Sequence, residues 1–236
     1  MNLFSGAIFI QQTIGWNLYL SIVILLAVTS ICTITGGLTA VMFTETAQAL
    51  IMILGAGTVS VMGLIEIGGF GNLYSKYMAA VPSTVPANMT HCAQPKNDSF
   101  LMLRSLSDHD LPWLGFLLGQ SPASIWYWCA DQMMVQRLLA AKSLSHAQGG
   151  ALMAGYLKVL PLFLIVIPGM ISRILSTDEV ACVDPDVCMA YCNSLSCTNT
   201  AYPRLVLGLL PSPLKGLLMS VMLAALMSDL SSIFNR

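Results

Sequence analysis

The sequence predicts an all-α integral membrane protein, and three observations carry that expectation. Of 236 residues, 56% are hydrophobic and only 9% are charged, whereas a soluble domain carries about 25% charged residues. Mean hydropathy is +0.75. The apolar residues gather into runs approaching the roughly 20 helical residues that cross about 30 Å of hydrocarbon, and Gly, Pro and polar loops separate the runs. A net charge of −1 gives no electrostatic basis for binding nucleic acid. No basic segment leads into a short apolar stretch with a cleavage site, so no secretory signal is expected.

Residues 4–15 are apolar but too short to span, and read as the tail of a helix whose beginning is missing. Residues 17–34 form the next span, which Thr35-Gly36-Gly37 is expected to close as a tight turn. Residues 38–67 are long enough to span with tilt and should end at Gly68-Gly69. A polar loop, about residues 68–110, carries two glycosylation sequons, Asn88-Met89-Thr90 and Asn97-Asp98-Ser99, beside Cys92. Two sequons in one inter-span loop argue for the external side.

The next span, residues 111–134, is the one around which the chain is organised. Gly119 and Pro122 are expected to weaken its backbone hydrogen bonding near mid-depth. Ser124, Tyr127, Trp128 and Asp131 follow at i, i+3, i+4 and i+7, one face of a helix. A broken helix with polar and aromatic groups on one face is how a transporter holds a polar solute. The competing reading is a Pro-kinked helix whose tryptophans only pack, with Asp131 near the cytoplasmic end as a structural acid. Residues 136–146, with Arg137 and Lys142, read as a short basic loop on the cytoplasmic side.

Residues 149–175 form a further span, with Lys158 inside it and Pro161 and Pro168 as kinks. An external loop, residues 176–213, holds Cys182, Cys188, Cys192 and Cys197. Residues 214–235 open a last span. The sequence thus gives four spans and two partial ones, without a soluble domain or a direct repeat. Cys32 and Cys129 lie inside apolar runs and read as packing thiols. The clustered loop cysteines read as disulfides in an oxidising compartment, with zinc as the rival, although no His accompanies them.

Glu45, Asp131, Lys158 and Asp229 each stand within an apolar run. A charge at mid-bilayer costs a few kcal/mol at least, so each must face a cavity or a partner. For Glu45 and Lys158 a structural ion pair or snorkelling is the plain alternative. In the last span Ala225, Ser228, Asp229 and Ser232 again share one face. Hydroxyl and carboxylate oxygens beside small residues suit a hard monovalent cation, against the alternative of small-residue helix packing. His91, His109 and His146 stand in loops and form no His-Glu-x-x-His pair, so enzyme chemistry is not expected.

Trp126-Tyr-Trp-Cys-Ala-Asp-Gln132 resembles the sodium/solute symporter family in its sodium/glucose cotransporter branch. The same resemblance is carried by Thr33-Ile-Thr-Gly-Gly-Leu-Thr-Ala40, Gly155-Tyr-Leu-Lys158, Pro168-Gly-Met-Ile-Ser-Arg-Ile174 and Ala201-Tyr-Pro-Arg204. Residues 119–132 and 225–230 look most like the members that carry myo-inositol, whereas glucose carriers have a second serine where Asp229 stands. The resemblance implies a LeuT-type fold of five-plus-five inverted repeats, incomplete here, running from the end of the third core helix through most of the eighth. It implies no enzyme activity and no cofactor beyond the coupling sodium ion. The partners it implies are sodium, myo-inositol or a hexose, and the lipid bilayer of the plasma membrane.

Carried over residue by residue, the resemblance implies that Ser124, Tyr127 and Trp128 line the solute site, with Tyr127 as an aromatic gate and Lys158 donating to ring hydroxyls. It implies sodium ligands at the Ala225 carbonyl and at the Ser228 and Asp229 side chains, and a coupling acid at Glu45, where the family more often has Asp. Arg236 stands where the family usually has a serine, and the chain reads as a fragment or truncated form of a sodium-coupled symporter working by alternating access, with a non-transporting fragment that acts only with a full-length partner as the alternative. For the loop cysteines, local pairs Cys182–Cys188 and Cys192–Cys197 are expected, leaving Cys92 for a partner outside the chain.

Overall fold

In a computed structural model of the chain the longest element is α1 (Leu18–Glu66), 49 residues. The structure describes residues 4, 6–8, 10, 11, 15–108 and 112–234, and of 32, 33, 35–41, 221 and 234 the backbone alone. Asn17 caps α1, its side chain accepting from the Tyr19 N–H at 2.9 Å. The hydroxyls of Thr29 and Thr58 donate to the Leu25 and Leu54 carbonyls at 2.6 and 2.7 Å, which lets polar residues sit in an apolar helix without needing water. The turn expected at residues 35–37 does not form: the helical backbone runs through Gly36 and Gly37. Two interior glycines weaken a helix by about 1 kcal/mol each without breaking its ladder, and the apolar sequence on both sides continues it.

The end of α1 is where the sequence places it. Gly68 and Gly69 take φ of 82° and 96°. The Gly69 N–H reaches the Leu64 carbonyl at 2.7 Å and the Gly68 N–H the Ile65 carbonyl at 3.0 Å, the paired bonds of a Schellman cap.

The chain folds as two compact units, residues 1–95 with 160–235, and residues 96–159. The first contains α1, α2 (Leu73–Ala79), α3 (Thr90–Ala93), α7 (Ile167–Leu175), α8 (Thr177–Val180), α9 (Pro185–Cys192), α10 (Ala201–Leu209) and α11 (Ser212–Phe234). Its core joins Val59 of α1 and its cap residue Ile67, Leu73 of α2, Ile167 and Ile171 of α7, Leu205 and Val206 of α10, and Leu218 of α11. Two glycines of α1 permit the closest approaches. A Cβ at Gly63 would meet Ile171 at 3.1 Å, and one at Gly55 would collide with Leu218.

Preceding α7, Leu162–Val166 forms a π-helical turn between Pro161 and Pro168. The Ile167 N–H bonds to the Leu162 carbonyl, five residues back. That choice releases the Phe163 carbonyl from its usual partner, and the Ser60 hydroxyl of α1 takes it at 2.7 Å. The long-range bond thereby satisfies the backbone group that the wide turn leaves over.

Both expected loops contain short helices. Arg173 of α7 donates to the Ala93 carbonyl at 2.9 Å and lies over the Tyr77 ring at 5.5 Å, pinning the sequon-bearing loop to the core. The Ser172 hydroxyl, buried, donates to the Ala201 carbonyl at 2.6 Å at the start of α10. Bridges Cys182–Cys188 and Cys192–Cys197 close the second loop. Among the described residues Cys92 and Cys129 are unbridged and exposed. For Cys129 this replaces the packing role its apolar neighbours suggested, because it ends a helix that buries none of its residues; the Cys32 side chain lies outside the described residues.

The second unit contains α4 (Trp113–Cys129), α5 (Gln132–Leu139) and α6 (Leu144–Leu157). The expected break at Gly119–Pro122 is absent: α4 runs through Pro122, and the helix stops instead at Ala130, whose N–H returns to the Trp126 carbonyl at 2.9 Å. Asp131 then caps α5, accepting the Met133 N–H at 3.2 Å, and Ser143 caps α6. These two caps turn most of the expected basic loop into helix and leave a short connection between Leu139 and Leu144.

Among the described residues, Met42–Glu66, Leu144–Leu175 and Ser212–Ile233 are helices long and apolar enough to cross a membrane, and Leu18–Ile31 is a shorter apolar stretch. The span expected at residues 111–134 is shortened to the 17 residues of α4, about 26 Å at the helical rise. No strand occurs among the described residues.

Candidate functional site

The second unit brings together three of the four residues expected to hold solute. Tyr127 and Trp128, adjacent on the last turn of α4, meet edge to face with ring centroids 5.5 Å apart and planes at 87°. Lys158 lies within the apolar stretch Leu144–Leu175, as expected, at the position that caps α6, its N–H bonded to the Ala154 carbonyl. From there its ammonium lies over the Trp128 ring, 5.4 Å from the centroid. Such a contact contributes about 0.5–1 kcal/mol at an exposed site, enough to aim the side chain without consuming its three donors. Both rings are half-buried while Lys158 and Ser124 are exposed. Ser124 lies one turn before Trp128 on the same face of α4. An aromatic face beside an ammonium and a phenol offers the C–H face of a ring polyol a stacking surface and its hydroxyls several partners.

Asp131 does not join this face. It stands beyond the end of α4, 6% exposed, with its carboxylate turned to the first turn of α5. The i+7 spacing that grouped it with Ser124 holds only along an unbroken helix, and Ala130 interrupts it.

In the first unit, Glu45 of α1 meets the face of α11 that carries Ala225, Ser228 and Asp229. The Ser232 hydroxyl lies 2.5 Å from Glu45 Oε1 and 2.9 Å from the Ser228 carbonyl. One hydroxyl has one proton, and the carboxylate is the stronger acceptor, so Ser232 donates to Glu45 in preference to the Ser228 carbonyl. Glu45, Ala225 and Ser228 are half-buried, Asp229 is exposed and Ser232 is 7% exposed. Gln48, one turn from Glu45, holds a buried amide oxygen with no hydrogen-bond partner. The polar groups on these two helix faces offer oxygen throughout, the chemistry a hard cation requires.

Sequence reasoning placed Ser232 on this face without assigning it a role, and passed over Gln48. The signal for Gln48 was its i+3 spacing from the acid on an otherwise apolar helix. Asn88 and Asn97 both lie in exposed turns. His91 and His146 are exposed, with His146 Nδ1 2.7 Å from the Ser143 hydroxyl, and His109 lies outside the described residues.

Long apolar helices that carry ionisable groups, with oxygen and aromatic clusters along them, mark a helical membrane protein. The chain belongs to the sodium:solute symporter family, whose model matches residues 1–236. It is 54% identical over 244 residues to the human sodium/myo-inositol cotransporter, covering 100% of the chain and 34% of that protein. It is 53% identical over 235 residues to mouse sodium/glucose cotransporter 4, covering 99% of the chain and 34% of that protein. Rabbit sodium/myo-inositol cotransporter 2 is 54% identical over 236 residues, covering 100% of the chain and 35% of that protein. The chain thus spans about a third of the length of these relatives. By their names these relatives are cotransporters of sodium with myo-inositol or glucose.

Proposed function

We propose that the protein carrying this chain is a sodium-coupled symporter of myo-inositol or a closely related polyol, working by alternating access in the plasma membrane. Solute rests against Tyr127 and Trp128 and donates to and accepts from Ser124, Lys158 and the Tyr127 hydroxyl. Sodium is held by the Ala225 carbonyl, Ser228 and Asp229, with Glu45 as the acid that links ion binding to the position of α11. Sodium binds the outward-open state more tightly than the inward one, and that difference in affinity drives solute uptake. The observation that supports this reading most is the Glu45–Ser232 contact, because it ties an intramembrane carboxylate to the helix that bears the other oxygen ligands. The five-plus-five inverted-repeat fold, the two exposed sequons as glycosylation sites and the external placement of both large loops belong to the same proposal.

Sodium-dependent uptake of radiolabelled myo-inositol by cells expressing the full-length protein tests it. Replacing sodium by choline is expected to abolish uptake, and Glu45→Gln to raise the half-saturating sodium concentration about tenfold, the effect of about 1.4 kcal/mol. Uptake that persists in choline sinks the proposal. A hexose is the second reading, favoured by the 53% identity to sodium/glucose cotransporter 4. Competition of labelled inositol by excess glucose, stronger than by unlabelled inositol, would select it.

A further inference from the structure

We propose that the two disulfides of the loop between α7 and α11 form a single exchange unit, and that Cys192 is the position at which a small-molecule thiol of the glutathione class adds. Three sulfurs carry the argument. Sγ atoms of Cys182, Cys188 and Cys197 all lie within 4.8 Å of one another, although Cys197 belongs to the other bridge. Cys192 Sγ and Cys197 Sγ also approach the Cys188 carbonyl, at 3.3 and 3.5 Å. Bridged sulfurs carry no proton, so these are close packing contacts and not hydrogen bonds. The second bridge therefore rests directly on the first.

Exposure then orders the four sulfurs. Cys188 is 0% and Cys197 1% exposed, while Cys182 and Cys192 are half-buried. An incoming thiol can reach only the outer sulfurs. Of the two, Cys192 lines a cavity of about 770 Å³ shared with Glu179, Tyr191, Asn193 and Arg204, a volume within the range of small-molecule pockets. Arg204 donates to the Tyr191 carbonyl at 3.2 Å and pairs with Glu179 at 2.9 Å. Its guanidinium is thus fixed beside the residue that precedes Cys192, with Glu179 as its counter-ion.

The first step joins the external sulfur to Cys192 Sγ and breaks the Cys192–Cys197 bond, and the electron pair of that bond leaves on Cys197. A thiolate buried at Cys197 is poorly solvated. It stands within 4.8 Å of both sulfurs of the neighbouring bridge, so its next step is exchange. Attack on Cys188 Sγ expels Cys182 as the thiolate, which is half-exposed and hydrated; attack on Cys182 would expel Cys188 into the interior. The favoured product is a Cys188–Cys197 bridge, a mixed disulfide at Cys192 and a free thiol at Cys182. One thiolate enters and one leaves, so no further oxidant or reductant is consumed.

The test uses the full-length protein in membranes, treated with reduced glutathione at neutral pH without denaturant. Acid quenching, alkylation and peptide mapping by mass spectrometry follow. Glutathione on Cys192, alkyl label on Cys182 and a cross-linked Cys188–Cys197 peptide are expected. Label confined to Cys197 with Cys182–Cys188 intact overturns the exchange. Glutathione found on Cys182 ahead of Cys192, or no adduct where the denatured protein reacts fully, overturns the point of entry. In a Cys182→Ser, Cys188→Ser double variant the label is expected to move to Cys197; a variant whose Cys197 stays unlabelled while Cys192 carries glutathione also contradicts the proposal.

Discussion

At the scale of single residues, Asp131 and Glu45 show how differently two acids in apolar surroundings are used. Asp131 satisfies an orphan N–H at the start of α5, whereas Glu45 is bonded to a hydroxyl 187 residues away on α11. The cap makes a prediction that separates hydrogen bonding from charge. Asp131→Ala is expected to cost about 0.5–2 kcal/mol, while Asp131→Asn, which keeps an acceptor for the Met133 N–H, costs a few tenths at most. Thermal unfolding of the detergent-solubilised protein measures both. If Asn proves as damaging as Ala, the negative charge and not the cap is what α5 needs. The capping role was open to sequence reasoning, because an acid directly before Gln-Met-Met-Val is an N-terminal signature. Helical spacing carried across Ala130 concealed it. For Glu45 the need for a partner was legible from its lone charge on an apolar run, but the identity of that partner depends on tertiary packing.

At the scale of elements, composition located the helices well and their interruptions poorly. Gly68-Gly69 ends α1 because two consecutive residues adopt φ that only glycine takes cheaply. Gly36-Gly37 does not interrupt it, since a glycine only permits a turn. Pro122 leaves α4 intact as well, and the proline effect appears instead between Pro161 and Pro168, where a π turn discharges its spare carbonyl onto Ser60. What a glycine does depends on its neighbour across the interface, which no local pattern reveals. At Gly55 that neighbour is Leu218. Gly55→Ala is therefore expected to destabilise the α1–α11 pair by about 1–3 kcal/mol through overpacking. The damage should be smaller when Leu218→Ala is made with it, so a double-mutant cycle on unfolding midpoints should give less than the sum. Additive losses would place the cost in helix propensity and remove the close approach from the account.

At the scale of the whole molecule, the two candidate sites draw on different compact units, and their connection is a matter of coupling free energy. Membrane character was legible from composition, and the clustering of Tyr127, Trp128 and Lys158 brings together residues that the sequence separates by two helices, α5 and α6. The division into units was not legible, because it reflects contact density and not composition. In a coupled carrier, sodium and solute must each raise the other's affinity by the same factor. Lesions in the two sites should then differ in how sodium rescues them. On the proposed roles, Ser232→Ala removes the donor to Glu45 and should weaken sodium binding, so the inositol KM should rise at low sodium and return to the wild-type value when sodium saturates. Trp128→Ala removes the stacking surface, so KM should rise several-fold to tenfold at every sodium concentration. Uptake measured over a grid of both concentrations distinguishes the two patterns. If saturating sodium also rescues Trp128→Ala, that ring acts on the ion site or on the conformational equilibrium and does not hold solute. If it fails to rescue Ser232→Ala, the Glu45–Ser232 contact supports the fold of α11 and is not part of ion coupling.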